Sequence, residues 1–166
     1  TALTETELAD AAFTAYTEPF RLTTDAEFVV YVRLTDAAGN VTYLCSDGLV
    51  LDTTAPVISG IENGKSYCEA QTVTITENYV GTVIVNGTEI ALDGTGRFVL
   101  SPADGKQTIL VTDKAGNTAE VIVTVHDGHP FGDWASNGDG THTRKCTVDG
   151  CNGVETEACS GGAATC

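Results

Sequence analysis

Thr35-Asp36-Ala37-Ala38-Gly39-Asn40 recurs 77 residues further on as Thr112-Asp113-Lys114-Ala115-Gly116-Asn117. A repeat at that period restricts the chain to similar modules set in series. Each copy sits between apolar runs, Phe28 to Leu34 and Val41 to Leu51 around the first, Thr108 to Val111 and Thr118 to Val125 around the second. Glycine supplies a positive φ without steric cost, asparagine tolerates the left-handed region, and aspartate accepts hydrogen bonds from turn amides. The motif therefore predicts two strands joined by a tight turn, with no ligand role of its own.

The segment from Ala55 to Val125 reads as short strands throughout: 57–61, 73–76, 82–85, 88–92, 98–100, 108–112 and 118–125. Asn86-Gly87 between Val83-Ile84-Val85 and Thr88-Glu89-Ile90 is the expected two-residue hairpin turn. Seven strands at this spacing predict a β-sandwich. Before it, Asp52-Thr53-Thr54-Ala55-Pro56 leaves almost no slack, since proline fixes its own φ and extends its predecessor. Residues 1–54 cannot complete the same template, because their copy of the turn begins at residue 35. Thr4-Glu5-Thr6-Glu7 has the capping-box form and predicts a short helix near residues 5–12.

Beyond His126 the composition changes. Phe131, Trp134, Val148 and Val154 are the main apolar side chains left, and four of the six cysteines fall in the last 21 residues. Burial alone cannot offset the chain entropy of so polar a segment, so 126–166 is read as a small third module held by cross-links or a metal. The cysteine density favours an oxidising, extracellular setting. With 8 Lys+Arg against 23 Asp+Glu and a formal charge of −15, the chain lacks the cations that release phosphate counterions, so nucleic acid is not an expected partner. No apolar run approaches the ~20 residues that cross a bilayer. The absence of methionine reads as a mature segment whose start is cleaved away or as a piece of something longer.

Several stretches resemble the bacterial immunoglobulin-like repeats of large surface proteins in Gram-positive gut bacteria. They are Val41-Thr42-Tyr43, the run from Ser46 to Pro56, Asn63-Gly64-Lys65-Ser66-Tyr67-Cys68 and both copies of the repeated turn. Residues 126–166 resemble a cysteine-containing repeat that follows such domains, through His129-Pro130-Phe131, Trp134, the run from Asn137 to Arg144, and Cys146. The resemblance implies an all-β fold of tandem immunoglobulin-like sandwich modules, 1–54 and 55–125, with a small irregular or β tail at 126–166. It also implies a multidomain cell-surface protein, commonly a stalk or adhesin.

The tail carries what chemistry the sequence offers. Asp149-Gly150 lets Cys146 and Cys151 face each other across a turn, and Ser160-Gly161-Gly162 lets Cys159 reach Cys166, so local disulfides are the expected staples. The alternative is zinc held by His129, His142, Cys146 and Cys151, four nitrogen and sulfur donors whose spacing matches no recognised finger. Calcium on Asp133, Asn137 and Asp139 is a further alternative, although Lys145 stands where the closing glutamate of a calcium loop belongs. Cys45 and Cys68, one per module near Pro56, are a candidate junction pair, each of which would also serve as a buried small hydrophobe. No catalytic motif is present, and His126, His129 and His142 beside Asp127, Asp133 and Asp139 read as polar turns. The expected function is a non-catalytic stalk with no cofactor, partnered by neighbouring domains of a longer chain. The competing readings are a module binding host glycoprotein or carbohydrate through Trp134, Phe131 and Tyr79, and an accessory region of a secreted carbohydrate-active enzyme.

Overall fold

A computed structural model describes residues 3–23, 25–103 and 105–160. The fold is all-β, and its residues group into two compact units, Thr1–Thr54 and Ala55–Cys166.

In the first unit, helix α1 (Glu5–Asp10) opens on the capping box. Thr4 Oγ1 accepts from the Glu7 amide at 3.3 Å, while the Glu7 carboxylate accepts from the Thr4 amide at 2.7 Å. The remainder is one long interrupted hairpin. Strands β2 (Tyr31–Thr35) and β3 (Val41–Cys45) pair around the first repeated turn, and β1 (Ala26–Phe28) and β4 (Leu49–Leu51) pair beyond them. The interruption is bridged by the Ser46 amide donating to Val30 O at 2.9 Å and the Val30 amide donating to Ser46 Oγ at 3.0 Å. Phe13 lies across one face, 5.8 Å from the Tyr43 ring with the Arg33 guanidinium over it. Val32, Leu34 and Leu44 are exposed on the hairpin's other face, so the described residues here form a ribbon and not two facing sheets.

The second unit contains the sandwich. Its first sheet has the order β10-β7-β5, with β5 (Val57–Ser59), β7 (Gln71–Thr76) and β10 (Arg97–Leu100). The second runs β6-β12-β11-β8-β9, with β6 (Ser66–Tyr67), β8 (Val80–Val85), β9 (Thr88–Glu89), β11 (Lys106–Asp113) and β12 (Thr118–Val125). Strand β11 shows why they stack. Its alternate residues Gln107, Ile109, Val111 and Asp113 all point inward and are buried. Ile109 and Val111 meet Val73, Ile75, Val83, Leu100, Val123 and Val125 in one core, while the polar pair ends the inward row at either side. Asn86-Gly87 makes the expected turn between β8 and β9, with φ of 51° and 80°.

The repeated motif closes both of its hairpins with one geometry. Asp36 Oδ1 accepts from the amides of Ala38 and Asn40 at 2.9 and 2.8 Å, and Gly39 takes φ 89°. Asp113 Oδ1 accepts from those of Ala115, Gly116 and Asn117 at 2.8, 2.6 and 2.9 Å, and Gly116 takes φ 98°. Burial raises the Asp113 carboxyl, but the Asn117 side chain and these amides outweigh it and hold the group below its ordinary value. At Asp36 the side-chain bond from Asn40 leads the same downward shift. A carboxyl depressed in the folded state stabilises fully above its unfolded value and loses that contribution as pH falls through the folded one. Thermal melts should therefore drop between about pH 5 and pH 3. Asp113→Asn is expected to melt lower at the upper pH and to fall less steeply towards the lower one. An unchanged slope would show that Asp113 is not among the titrating groups.

The tail forms an antiparallel sheet of order β13-β14-β15, with β13 (Ala135–Ser136), β14 (Thr141–Lys145) and β15 (Val154–Ala158). Composition sets it apart as a module, yet it belongs to the same compact unit as the sandwich. None of its described residues is buried. Something other than an apolar core of its own holds it.

Candidate metal centre

Three stretches of chain converge at one edge of the sandwich. Strand β6 runs parallel to the end of β12, with Ser66 opposite Thr124 and Tyr67 opposite Val125. The His126 amide then donates to Tyr67 O at 2.8 Å, which brings Cys68 beside the start of the tail. From there the chain reaches Phe131, which bridges to Cys146, while Thr147 donates to Pro130 O at 2.8 Å and Gly132 to Lys145 O at 3.0 Å. Those bonds fix the residues that follow His129 against the end of β14.

The third stretch is a knuckle. Cys146 donates its amide to Gly153 O at 2.8 Å, the Cys151 amide donates to Val148 O at 3.1 Å, and Gly150 turns the chain with φ 78°. The Val148 amide points at Cys146 Sγ, 3.4 Å away. Gly153 is the floor under the histidine: a Cβ built there would stand 2.4 Å from His129 Nδ1 and 2.6 Å from its Cγ. Only a residue without a side chain leaves the imidazole where it is.

One ligand atom from each of Cys68, His129, Cys146 and Cys151 lies within 4.8 Å of all the others. Cys68 Sγ is 3.3 Å from Cys146 Sγ, and His129 Nδ1 is 3.1 Å from Cys151 Sγ. Cys68 is buried and the other three are partly so. Burial pushes the Cys68 thiol up to about 12, with its hydrogen bonds to Cys151 and Cys146 adding to the shift. The same Cys68 bond, seconded by the Gly153 amide, draws Cys151 down to about 7. The group thus holds a sulfur that ionises near neutrality, the form in which cysteine ligates metals. An open cleft of about 550 Å³ is lined by Cys68, His129 and Cys151 together with Glu62, Glu69 and Asp149.

This arrangement corrects two expectations. Cys146 and Cys151 are free thiols, not a local disulfide. The Asp149-Gly150 turn does bring them together, but a third sulfur from the sandwich joins them. Cys45 and Cys68 do not form a junction bridge either: both are free, Cys45 exposed and Cys68 within the cluster. Cys166 lies outside the described residues, and with it the expected partner of Cys159.

Of the four donors read as a zinc set, His129, Cys146 and Cys151 come together and His142 does not. His142 stacks edge-on against Trp134 at 4.3 Å, with Glu157 3.7 Å from its Nε2 and Cys159 Sγ 3.5 Å from its Nδ1. The residues proposed for calcium act as turn formers. Asp139 Oδ1 accepts from the Thr141 amide and hydroxyl at 3.0 and 2.6 Å, and Asn137 Nδ2 donates to the hydroxyls of Thr141 and Thr143 at 2.7 and 2.8 Å. Asp133 belongs to no group of three or more close His, Cys, Asp or Glu donors among the described residues. Sequence reasoning missed Cys68 as a ligand. The available signal was an unpaired cysteine directly after a short polar strand, 61 residues before His129.

No known family model matches the chain, and no curated protein is significantly similar to it. Among solved structures, the Bacteroides ovatus mixed-linkage glucan utilization locus protein SGBP-B, in complex with a mixed-linkage heptasaccharide, aligns at 19% identity. The alignment covers 69% of this chain and 35% of that one, at a TM-score of 0.29. The chain thus spans about a third of that protein's length, and the score is too low to indicate a shared arrangement of strands.

Proposed function

We propose that this chain is a non-catalytic spacer segment of an extracellular bacterial surface protein, partnered by the neighbouring domains of a longer chain. The observation that carries this reading is the fate of Trp134 and Phe131, two of the three aromatic side chains named for sugar stacking. The Arg144 guanidinium lies 4.7 Å from the Trp134 ring and 4.8 Å from that of Phe131, and Arg144 Nε donates to Glu155 at 2.6 Å. A cation over both rings fastens the tail sheet internally and occupies one face of each that a glycan would stack on. The candidate catalytic groups are likewise in structural contacts, His142 against Trp134 and Asp139 closing a turn. No helix among the described residues is long and apolar enough to cross a membrane.

The competing reading, a glycan-binding module, has exposed aromatic side chains to work with: Trp134 keeps 38% of its area exposed, and in the first unit Phe20 and Tyr16 are exposed too. Incubating the full chain with a panel of plant, host and mucin glycans tests the choice between them. The spacer reading expects neither retention nor turnover. Retention that disappears in Trp134→Ala would replace it with the binding module, and turnover lost in His142→Ala would replace it with an enzyme.

A further inference from the structure

We propose that Cys68, His129, Cys146 and Cys151 bind one zinc ion as a closed structural centre that fastens the tail to the sandwich. The inference goes beyond the spacer reading and does not depend on it. The donor set is three sulfurs and one imidazole nitrogen. That combination suits zinc, and a structural site takes four such ligands in a tetrahedron with no position left open. Zn–S bonds of ~2.3 Å place the sulfurs of a tetrahedron about 3.8 Å apart. The spacings here, 3.3 Å between two sulfurs and 3.1 Å between nitrogen and sulfur, need to open only slightly around an ion, and all four atoms already lie within 4.8 Å of one another.

A disulfide accounts for the cluster less well. An S–S bond is about 2.05 Å long, well inside the 3.3 Å between Cys68 and Cys146, and three sulfurs cannot all pair among themselves. Calcium and magnesium take oxygen, which the four residues do not offer. Support around the donors fits a metal centre as well. The Val148 amide donates towards Cys146 Sγ at 3.4 Å, and the floor at Gly153 leaves room for the His129 ring alone. Such outer contacts orient ligands and raise affinity.

The placement of the ligands says what the ion does. Cys68 belongs to the sandwich, directly after β6, and the other three belong to the tail. Binding displaces the thiol protons to solvent and ties two parts of the chain through one atom. A tail with no buried residue of its own is a segment that needs such a tie.

The test is the zinc content of the full chain, purified in reductant, loaded with zinc sulfate, desalted, and read by elemental analysis and native mass spectrometry. About one zinc per chain is expected in the wild type, in Cys45→Ser and in His142→Ala, and less than about a tenth in Cys68→Ser and Cys151→Ser. Cys68 is buried, so Cys151→Ser guards against a variant that simply fails to fold. Gly153→Ala keeps every donor but crowds His129, and should weaken zinc binding by roughly 10–100-fold in competition with a chromophoric chelator. A zinc-free wild type, a mapped Cys146–Cys151 disulfide, or zinc retained in both serine variants would each overturn the proposal. The spacer reading fails on glycan retention instead, so the two can fail separately.

Discussion

Ile109→Ala should destabilise the second unit by about 2–5 kcal/mol, because it removes a fully buried side chain from the centre of β11 and leaves a cavity the two sheets cannot close. Domains of this size are stable by ~5–15 kcal/mol, so the loss is a large fraction of the whole. Val99, 64% exposed on β10 beside the buried Leu100, provides the contrast: Val99→Ala should stay within about 0.5 kcal/mol of wild type. Urea titrations of both variants followed at the sandwich's own signals check the pair. Equal effects would mean that β11 does not form the centre of the core.

Removing zinc should have the largest effect on the tail. Structural zinc contributes on the order of 10 kcal/mol to small domains that fold around it. The remaining contacts within the tail are modest: the Arg144–Glu155 pair, its stacking on Phe131 and Trp134, and a three-stranded ladder. An ion pair about a third exposed and two cation–π contacts amount to roughly 1–3 kcal/mol together. With the ion chelated, amides of β14 and β15 should exchange with solvent orders of magnitude faster, while β11 and β12 keep their protection. Arg144→Ala in the zinc-bound chain should loosen the tail far less. Tail amides that stay protected after complete chelation would show that the ion does not hold it.

Local chemistry made much of the fold legible. The Asp-to-Gly turn at 36–39 and 113–116 predicts both hairpins because a carboxylate collecting turn amides and a glycine at positive φ act within five residues. Asp93 closes another turn of this kind, accepting from the amides of Thr95 and Arg97 at 2.7 and 2.9 Å with Gly96 at φ 77°. The repeat does not flag it, since the residues between differ while the Asp and Gly offsets persist. The helix at 5–10 follows likewise from its cap.

The site was only partly legible. Cys146-Thr147-Val148-Asp149-Gly150-Cys151 brings two sulfurs together, but a knuckle and a disulfide loop ask the same of the sequence. What decides between them is Cys68, 78 residues from Cys146, delivered by a two-residue parallel strand that carries no pattern. Short parallel pairings at a sheet edge depend on tertiary packing more than on propensity. His142 and His129 are equivalent as donors in the sequence. Only the ladder that sets His142 against Glu157 and the bridge from Phe131 to Cys146 separates them.

X-ray absorption at the zinc edge of the loaded full chain addresses the centre itself. The expected first shell holds three sulfurs at ~2.3 Å and one imidazole nitrogen at ~2.0–2.1 Å, with one sulfur lost in Cys68→Ser. A shell of oxygens and nitrogens alone, or one unchanged by the loss of Cys68, would contradict it.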